Sequence, residues 1–163
     1  AIEPHNITKY KEDDVHDLRD TIEPTSDIPK KIFSGFSKAC HNLYKFDSKT
    51  EKDFGIILEQ DVTVQKWLRP AHNQFNILWG RARNQYEPDF IVETEDAIYM
   101  VETKAERDIE TDEVQEKKSA AIKYCEYANK YTKESGGKVW KYVIIPHTKV
   151  KFNNDLSYFL RGL

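Results

Sequence analysis

The sequence of residues 86–104 is YEPDFIVETEDAIYMVETK. Two runs of β-branched, aromatic and apolar residues, 90–92 and 98–101, flank a hydrophilic segment. This pattern predicts two antiparallel strands joined by a short polar turn. Because successive side chains of a strand point to opposite faces, Glu102 and Lys104 project side by side from one face at the end of the second strand.

The register of this hairpin decides whether Asp89 joins Glu102 and Lys104. If the turn spans 94–97, Asp89 falls opposite Glu102. A two-residue shift keeps both acids on one face, whereas a one-residue shift separates them. In the favourable registers, two carboxylates and an ammonium converge at one end of the hairpin. Two close carboxylates repel each other unless a positive charge lies between them, so this pattern predicts a site for a hard divalent cation, above all Mg²⁺.

The composition indicates one globular domain. The chain has 163 residues, of which 39% are hydrophobic, 12% aromatic and 33% charged; this length is sufficient to bury a core. No window approaches the roughly 18 uninterrupted apolar residues of a transmembrane helix, and we expect a cytoplasmic location. Cys40 and Cys125 lie far apart without CxxC spacing, so neither a zinc site nor a disulfide framework is predicted.

The charge balance constrains any interaction with nucleic acid. The formal net charge is −3, whereas an autonomous DNA-binding domain normally carries a basic excess that displaces counterions. Two interpretations follow. Either the protein does not bind nucleic acid, or something attached to it supplies most of the affinity.

The N-terminal part of the chain differs in pattern from the rest. Residues 1–31 contain a dense run of charge and three prolines, which predicts a connector from a preceding domain. The main domain is expected to span 32–163. At its start, apolar residues recur at helical spacing between Ile32 and Tyr44, which predicts an amphipathic helix.

A second helix begins at a capping box, in which Ser48 is followed by Glu51 and an apolar stripe covers 54–58. Two roles are open to Glu51. It bonds back to the amide of the cap residue, or it turns toward the hairpin and adds a third carboxylate to the metal site. Glu59, two turns further on, competes for the second role, and we favour Glu51.

The remaining segments complete an α/β pattern. Strands are predicted at 62–68 as an extended edge, at 75–79 as the first main strand, and at 138–146 in the interior of the sheet. A long helix is predicted from Asp112 to the glycines at 136–137, and a short helix lies within 153–163. This order predicts an α-β-β-β-α-β core, a mixed sheet flanked by helices.

Four basic residues are candidates for contacts with DNA phosphates. Arg69 ends the predicted edge strand, and Arg81 and Arg83 lie between the first main strand and the hairpin. Lys117 lies near the start of the long helix, which faces the same cleft in many hairpin-then-helix layouts. The alternative for each arginine is a solvated or paired side chain, and for Lys117 it is a solvated flank of the helix.

Several motifs occur in an order that resembles one protein family. They are FDSxxExxF at 46–54, VxxWLRP at 64–70, YxPDF at 86–90, ETK at 102–104, KSAAIKYC at 118–125 and VWKYVIIPH at 139–147. The third and fourth together resemble the PD-(D/E)xK motif of restriction-endonuclease-like nucleases. The whole series, over roughly residues 32–150, is similar to the C-terminal endonuclease region of the restriction (Res) subunits of type III restriction enzymes.

This resemblance implies Mg²⁺-dependent cleavage of double-stranded DNA, with Mn²⁺ able to substitute. By matching position, Asp89, Glu102 and Lys104 would be catalytic with Glu51 in support, and Asp89 and Glu102 would hold the metal. The helicase-like motor of the same subunit, joined through residues 1–31, would use ATP, since this chain has no Walker A loop. A modification (Mod) methyltransferase subunit would recognise the DNA sequence.

Two other functions remain open. A restriction-endonuclease-like domain without activity would act as a docking module, and the negative charge is compatible with this, but Asp89, Glu102 and Lys104 are all present. A stand-alone repair or mobile-element nuclease is the other alternative. Such an enzyme is expected to have a basic surface, which a net charge of −3 does not indicate.

Overall fold

The computed structural model describes residues 14–162, in which a mixed β-sheet is covered by helices on both faces. The strands are β1 (Val15–Asp17), β2 (Ile32–Ser34), β3 (Lys66–Leu68), β4 (Ile77–Trp79), β5 (Asn84–Tyr86), β6 (Phe90–Glu93), β7 (Ala97–Lys104) and β8 (Val139–Pro146). The helices are α1 (Lys49–Gln60), α2 (Glu106–Ile109), α3 (Asp112–Ser135) and α4 (Leu156–Phe159), with 3-10 turns at Thr25–Lys30 and His147–Lys149.

The main sheet has the strand order β3-β6-β7-β8. Its first three strands are antiparallel neighbours, and β8 runs parallel to β7. A parallel pair needs a crossover connection, which α3 supplies. The main sheet and its two long helices follow the predicted α-β-β-β-α-β order, which in chain order is α1, β3, β6, β7, α3 and β8. The predicted α/β class, a mixed sheet flanked by helices, is confirmed.

The β6–β7 hairpin has the register that was predicted for a turn over 94–97. Glu93 pairs with Ile98 beside the turn. Extending the same register to the other end of the hairpin places Asp89 opposite Glu102. The two acids therefore meet at the end of the hairpin farthest from its turn.

The two faces of the sheet are covered by different helices. On one face, Val101 belongs to the same buried cluster as Phe54 of α1. On the other, Met100 shares a cluster with Ala121 of α3. Because close-packed side chains hold the hairpin from both faces, the polar residues at its end project from a rigid support.

The N-terminal part of the described chain packs into the main core. Leu18, Ile22 and Ile28 are buried in the cluster that includes α1 and the sheet. Residues 14–31 therefore pack into the same core as the domain that was predicted to begin at residue 32. The rest of the predicted connector, residues 1–13, lies outside the described residues.

The predicted helix over 32–44 is wrong. β2 occupies its start, and Gly35 follows with a φ of +85°, a left-handed conformation that a right-handed helix does not contain. The apolar spacing has another cause, because Phe36 and Tyr44 pack against Trp67 with ring centroids 5.5 and 5.3 Å away. These side chains build an aromatic cluster instead of one face of a helix.

Two predicted strands occupy positions other than those expected. The segment 75–79, predicted as the first main strand, contributes β4, which pairs with β5 in a separate two-stranded sheet. Within residues 14–162, β8 is an edge strand and not an interior one. Its apolar run is explained by burial on both faces, since Val143 and Ile145 join one cluster and Tyr142 joins the other.

The helix ends follow the predicted chemistry closely. Ser48 caps α1, and Gly136 ends α3 with a φ of +73°. Thr111, one residue earlier than predicted, is the N-terminal cap of α3. Among the helices of residues 14–162, none combines the length and the apolar character needed to cross a bilayer.

Candidate active site

The open end of the β6–β7 hairpin carries Asp89, Glu102 and Lys104. Oδ2 of Asp89 accepts hydrogen bonds from the backbone N–H of Thr103 at 2.8 Å and from its hydroxyl at 3.1 Å. The Glu102 side chain is 9% exposed, and its Oε1 lies 3.2 Å from Nζ of Lys104. The structure thus brings the three predicted residues to one place, with Asp89 fixed by the strand and Glu102 by a cation.

The electrostatics of this cluster favour an additional positive charge. Burial, together with the neighbouring Glu102 carboxylate, raises the pKa of Asp89 to about 7. Burial also raises the pKa of Glu102, against the opposing effect of Lys104. Burial disfavours the charged form of Lys104, but Glu102 outweighs this effect and raises the lysine pKa. Lys104 is therefore held as an ammonium while the two acids oppose each other's ionisation.

We expect the free energy of unfolding of the metal-free protein to fall as the pH rises from about 4 to about 7. An acid with a raised pKa binds more protons in the folded chain, so its stabilising contribution is complete below its unfolded pKa and is lost as it ionises in the folded state. Asp89 has this sign, from 3.8 to about 7. Urea unfolding in EDTA should show a shallower pH dependence for Asp89→Asn than for the native chain. Parallel curves for the two proteins would contradict the expectation.

Tyr86, which the sequence analysis missed, holds Glu102 in place. Its hydroxyl donates a 2.8 Å hydrogen bond to Oε2 of Glu102, the oxygen that does not face Lys104. Tyr86 ends β5 and is 5% exposed. Its position three residues before Asp89 could have suggested that Tyr86 lies near the site. Sequence alone, however, does not show which group a tyrosine hydroxyl contacts.

Replacing Tyr86 with phenylalanine is expected to weaken Mn²⁺ binding about tenfold, since groups that orient a metal ligand typically contribute this much. The phenyl ring keeps the packing, while Glu102 loses one of its two partners. Calorimetric titration measures the affinity, with Tyr127→Phe on the exposed face of α3 as the matched control. Equal affinities of the native chain and Tyr86→Phe would mean that Tyr86 only fills space.

Glu51 takes part in the capping of α1 by Ser48 and lies near Asp89. Its N–H donates to Oγ of Ser48 at 3.2 Å, and its Oε2 accepts from the N–H of Asp47 at 2.7 Å, one residue before the cap. The same oxygen lies 3.1 Å from Nη1 of Arg69. Burial raises the pKa of Glu51, Arg69 lowers it, and the Asp89 carboxylate adds to the rise. Glu51 therefore lies within electrostatic reach of Asp89, one of the two predicted metal ligands.

Glu59, the competitor of Glu51, is committed elsewhere. Its carboxylate accepts hydrogen bonds from N–H and Oγ of Ser37, both at 2.7 Å, from N–H of Lys38 at 3.0 Å and from Nε1 of Trp67 at 2.9 Å. Burial opposes its ionisation, but these bonds outweigh burial and lower the pKa of Glu59. Glu59 thus organises the loop after β2, which leaves Glu51 as the carboxylate of α1 beside the site.

Arg69 is an internal counter-charge, and its predicted role as a phosphate contact does not fit its burial. The side chain is 13% exposed, and its guanidinium lies between the rings of Phe46 and Phe90, with Cζ 5.1 and 5.0 Å from their centroids. Its charge lowers the pKa of both Glu51 and Asp89. Arg69 therefore stabilises the ionised acids from inside the protein.

The other predicted phosphate contacts lie at the surface. Arg81 and Arg83 are exposed in the turn between β4 and β5. Nζ of Lys117 lies 4.9 Å from the ring centroid of Trp79, on the side of α3 that faces this turn. Lys117 also lowers the pKa of Glu102, which places its charge within reach of the acids.

The donors at the hairpin end fit a hard cation that takes two protein carboxylates. Within residues 14–162, no group of three or more His, Cys, Asp or Glu side chains is arranged to hold a metal. Mg²⁺ usually keeps several waters and binds through one or two carboxylates, so two acids suffice. Asp89 and Glu102 offer two carboxylates. Burial raises the pKa of both, and the Glu102 charge adds to the rise for Asp89, so a cation bound between them would stabilise their ionised forms.

Comparison with protein-family models and with curated proteins finds no match to this chain. Two largely buried acids and an ammonium at one end of a hairpin are able to bind a divalent cation and to hold a water molecule or a phosphate oxygen beside it.

Proposed function

We propose that this chain is the Mg²⁺-dependent DNA endonuclease domain of a type III restriction–modification system, which hydrolyses DNA phosphodiester bonds within a larger assembly. The observation that carries the proposal is the convergence of Asp89, Glu102 and Lys104 at the open end of the hairpin. Mn²⁺ would substitute for Mg²⁺, because both ions accept carboxylate and water ligands.

Asp89 and Glu102 would hold the metal, together with a backbone carbonyl of β7. A Mg²⁺ held by these residues would supply Lewis-acid chemistry, which polarises a phosphate oxygen and makes a water more acidic. The role of the protein is to hold the carboxylates of Asp89 and Glu102 close together in their ionised forms. Thr103 and Tyr86 orient the carboxylates, and the buried charge of Arg69 favours ionisation of Asp89.

Lys104 would orient the attacking water and stabilise the negative charge that develops on the phosphate. Its ammonium stays protonated because the Glu102 carboxylate is 3.2 Å away. A lysine suits this role, since a compact ammonium approaches one oxygen where the planar fork of an arginine demands two. The side chain is 28% exposed, so it remains accessible to substrate.

The rest of the assembly would supply what this domain lacks. A net charge of −3 supports weak, salt-sensitive binding of DNA by the isolated domain. The helicase-like motor of the same subunit would use ATP and deliver DNA, and the Mod methyltransferase subunit would recognise the sequence. Arg81 and Arg83, which are exposed in the β4–β5 turn, would contact the DNA backbone.

Nicking of supercoiled plasmid tests the proposal. The native chain at high concentration is expected to nick DNA in Mg²⁺ or Mn²⁺ and to be inactive in EDTA. If the isolated domain does not cut, calorimetric titration with Mn²⁺ decides the question. Binding by the native chain that is lost in Asp89→Asn would support an intact site that depends on its partners. If the native chain neither nicks DNA nor binds metal, the proposal is overturned in favour of a docking module.

A further inference from the structure

A groove of about 540 Å³ follows the outer edge of β8 between α3 and α4. We call it the β8 groove. It contacts every residue from Tyr142 to Pro146. Since successive side chains of a strand point to opposite faces, a groove that touches five consecutive residues runs along the edge of the strand and not over one face.

The backbone of β8 is open to a further strand on this side. Among residues 14–162, β8 pairs with β7 alone. In a parallel pair, every second residue directs its N–H and C=O away from the neighbouring strand. The N–H and C=O of Trp140 are bonded to the side chain of Asn129 at 2.6 and 2.9 Å, and Pro146 has no N–H. The groups that face the groove without a backbone partner are therefore the N–H and C=O of Tyr142 and Ile144 and the C=O of Pro146. Five residues of strand extend for about 17 Å, enough for an extended segment of similar length to pair.

The lining of the β8 groove is basic and apolar. Three cationic side chains contribute to it, Lys118 from α3, Lys149 from the 3-10 turn and Arg161 after α4. No acidic residue of the described chain contributes to the lining. Between the cations lie apolar side chains, including Ile122, which is 41% exposed, and Phe159.

We propose that the β8 groove is a docking site for an extended, acidic segment of a partner protein, which pairs with β8 as an added strand. Main-chain hydrogen bonds to the strand edge would provide affinity, and alternate side chains would meet the apolar lining. Acidic side chains would complement Lys118, Lys149 and Arg161.

Two other occupants fit less well. A second copy of this chain paired through its own β8 would bring a second set of the same three cations into the groove, and like charges facing each other are unfavourable. A nucleic acid strand would match the cations, but it would leave the N–H and C=O groups of the strand edge without the regular partners that a peptide offers. The docking site uses none of Asp89, Glu102 and Lys104, so it does not depend on the proposed nuclease function.

Fluorescence anisotropy with a labelled heptapeptide of alternating valine and glutamate tests the proposal. We expect saturable binding that weakens at least about tenfold in the Lys118→Glu, Arg161→Glu double variant. The exposed Lys133→Glu at the end of α3 is the matched control and should leave binding unchanged. Two further peptides, one N-methylated at its odd-numbered residues and one at its even-numbered residues, separate strand addition from charge attraction. In one of the two, the methyl groups replace the N–H donors that would face β8, so strand addition predicts weaker binding of that peptide alone.

Distinct results would overturn the proposal. These are absence of binding at about 1 mM peptide, equal binding of the unmodified peptide and both N-methylated peptides, or equal binding by the double variant. A labelled single-stranded DNA of about 12 nucleotides provides the comparison with nucleic acid. If this DNA binds through Lys118 and Arg161 and the acidic peptide does not, the groove is a nucleic-acid site and strand addition is wrong.

Discussion

Replacing Lys104 with alanine is expected to reduce Mg²⁺-dependent nicking of plasmid DNA about a thousandfold. The ammonium is the group at the site that is both charged and accessible, with a side chain 28% exposed and 3.2 Å from Glu102. Its loss removes the proposed stabilisation of negative charge on the phosphate and the group that orients the water. The rate of conversion of supercoiled to open-circular plasmid measures the effect.

Metal binding separates this role from a structural one. Because Lys104 is not a metal ligand in the proposed mechanism, the alanine variant should bind Mn²⁺ at least as well as the native chain, since it lacks a cation that competes for Glu102. Lys133→Ala, an exposed lysine at the end of α3, is the matched control and should nick at the native rate. Nicking by Lys104→Ala within threefold of the native rate would exclude a catalytic role for this side chain.

Replacing Glu59 with glutamine is expected to lower the free energy of unfolding by about 3 kcal/mol, the largest stability effect predicted for this chain. The Glu59 carboxylate accepts four hydrogen bonds, from two groups of Ser37, from Lys38 and from Trp67. Glutamine has one acceptor oxygen and carries its own donors, so at least one of these N–H groups loses its partner in a buried place. Urea unfolding monitored by tryptophan fluorescence measures the change.

The exposed Glu95 at the tip of the hairpin is the matched control, and Glu95→Gln should change stability by less than about 0.5 kcal/mol. Metal affinity provides a second readout. Glu59 is committed to the loop after β2, so folded Glu59→Gln should bind Mn²⁺ as the native chain does. Loss of metal binding without loss of stability would mean that Glu59, and not Glu51, is the α1 carboxylate that supports the site.

The hairpin was predictable because its signals are local. Two apolar runs define the strands, and the polar segment between them defines the turn. The alternation of side chains left the exact register open, and the structure has the register in which Asp89 lies opposite Glu102. The start of α1 was predictable for the same reason, since Ser48 and Glu51 make a capping motif within four residues. Local chemistry of this kind needs no knowledge of the rest of the fold.

The errors occurred where distant contacts decide. The apolar spacing of residues 32–44 suits a helix, but Phe36 and Tyr44 pack against Trp67, more than twenty positions further along the chain. Arg69 was a candidate for a phosphate contact or a paired side chain, and the structure has it paired with Glu51 between two rings contributed by separate elements. Tyr86 was missed because its bond to Glu102 connects β5 to β7. Each of these arrangements is a tertiary contact that residue spacing does not encode.

The short turn of the β6–β7 hairpin also has a consequence for the order of folding. Its strands are separated by three residues, whereas β8 joins the sheet only across the length of α3. Pairings between neighbouring segments form faster than pairings between distant ones, so we expect the hairpin to form before β8 joins the sheet. A hairpin that closes from its turn brings Asp89 and Glu102 together last. Because the slower pairing of β8 follows, the repulsion between the two acids is already present in the rate-limiting step, and we expect substitutions of these acids to change the rate of folding more than the rate of unfolding.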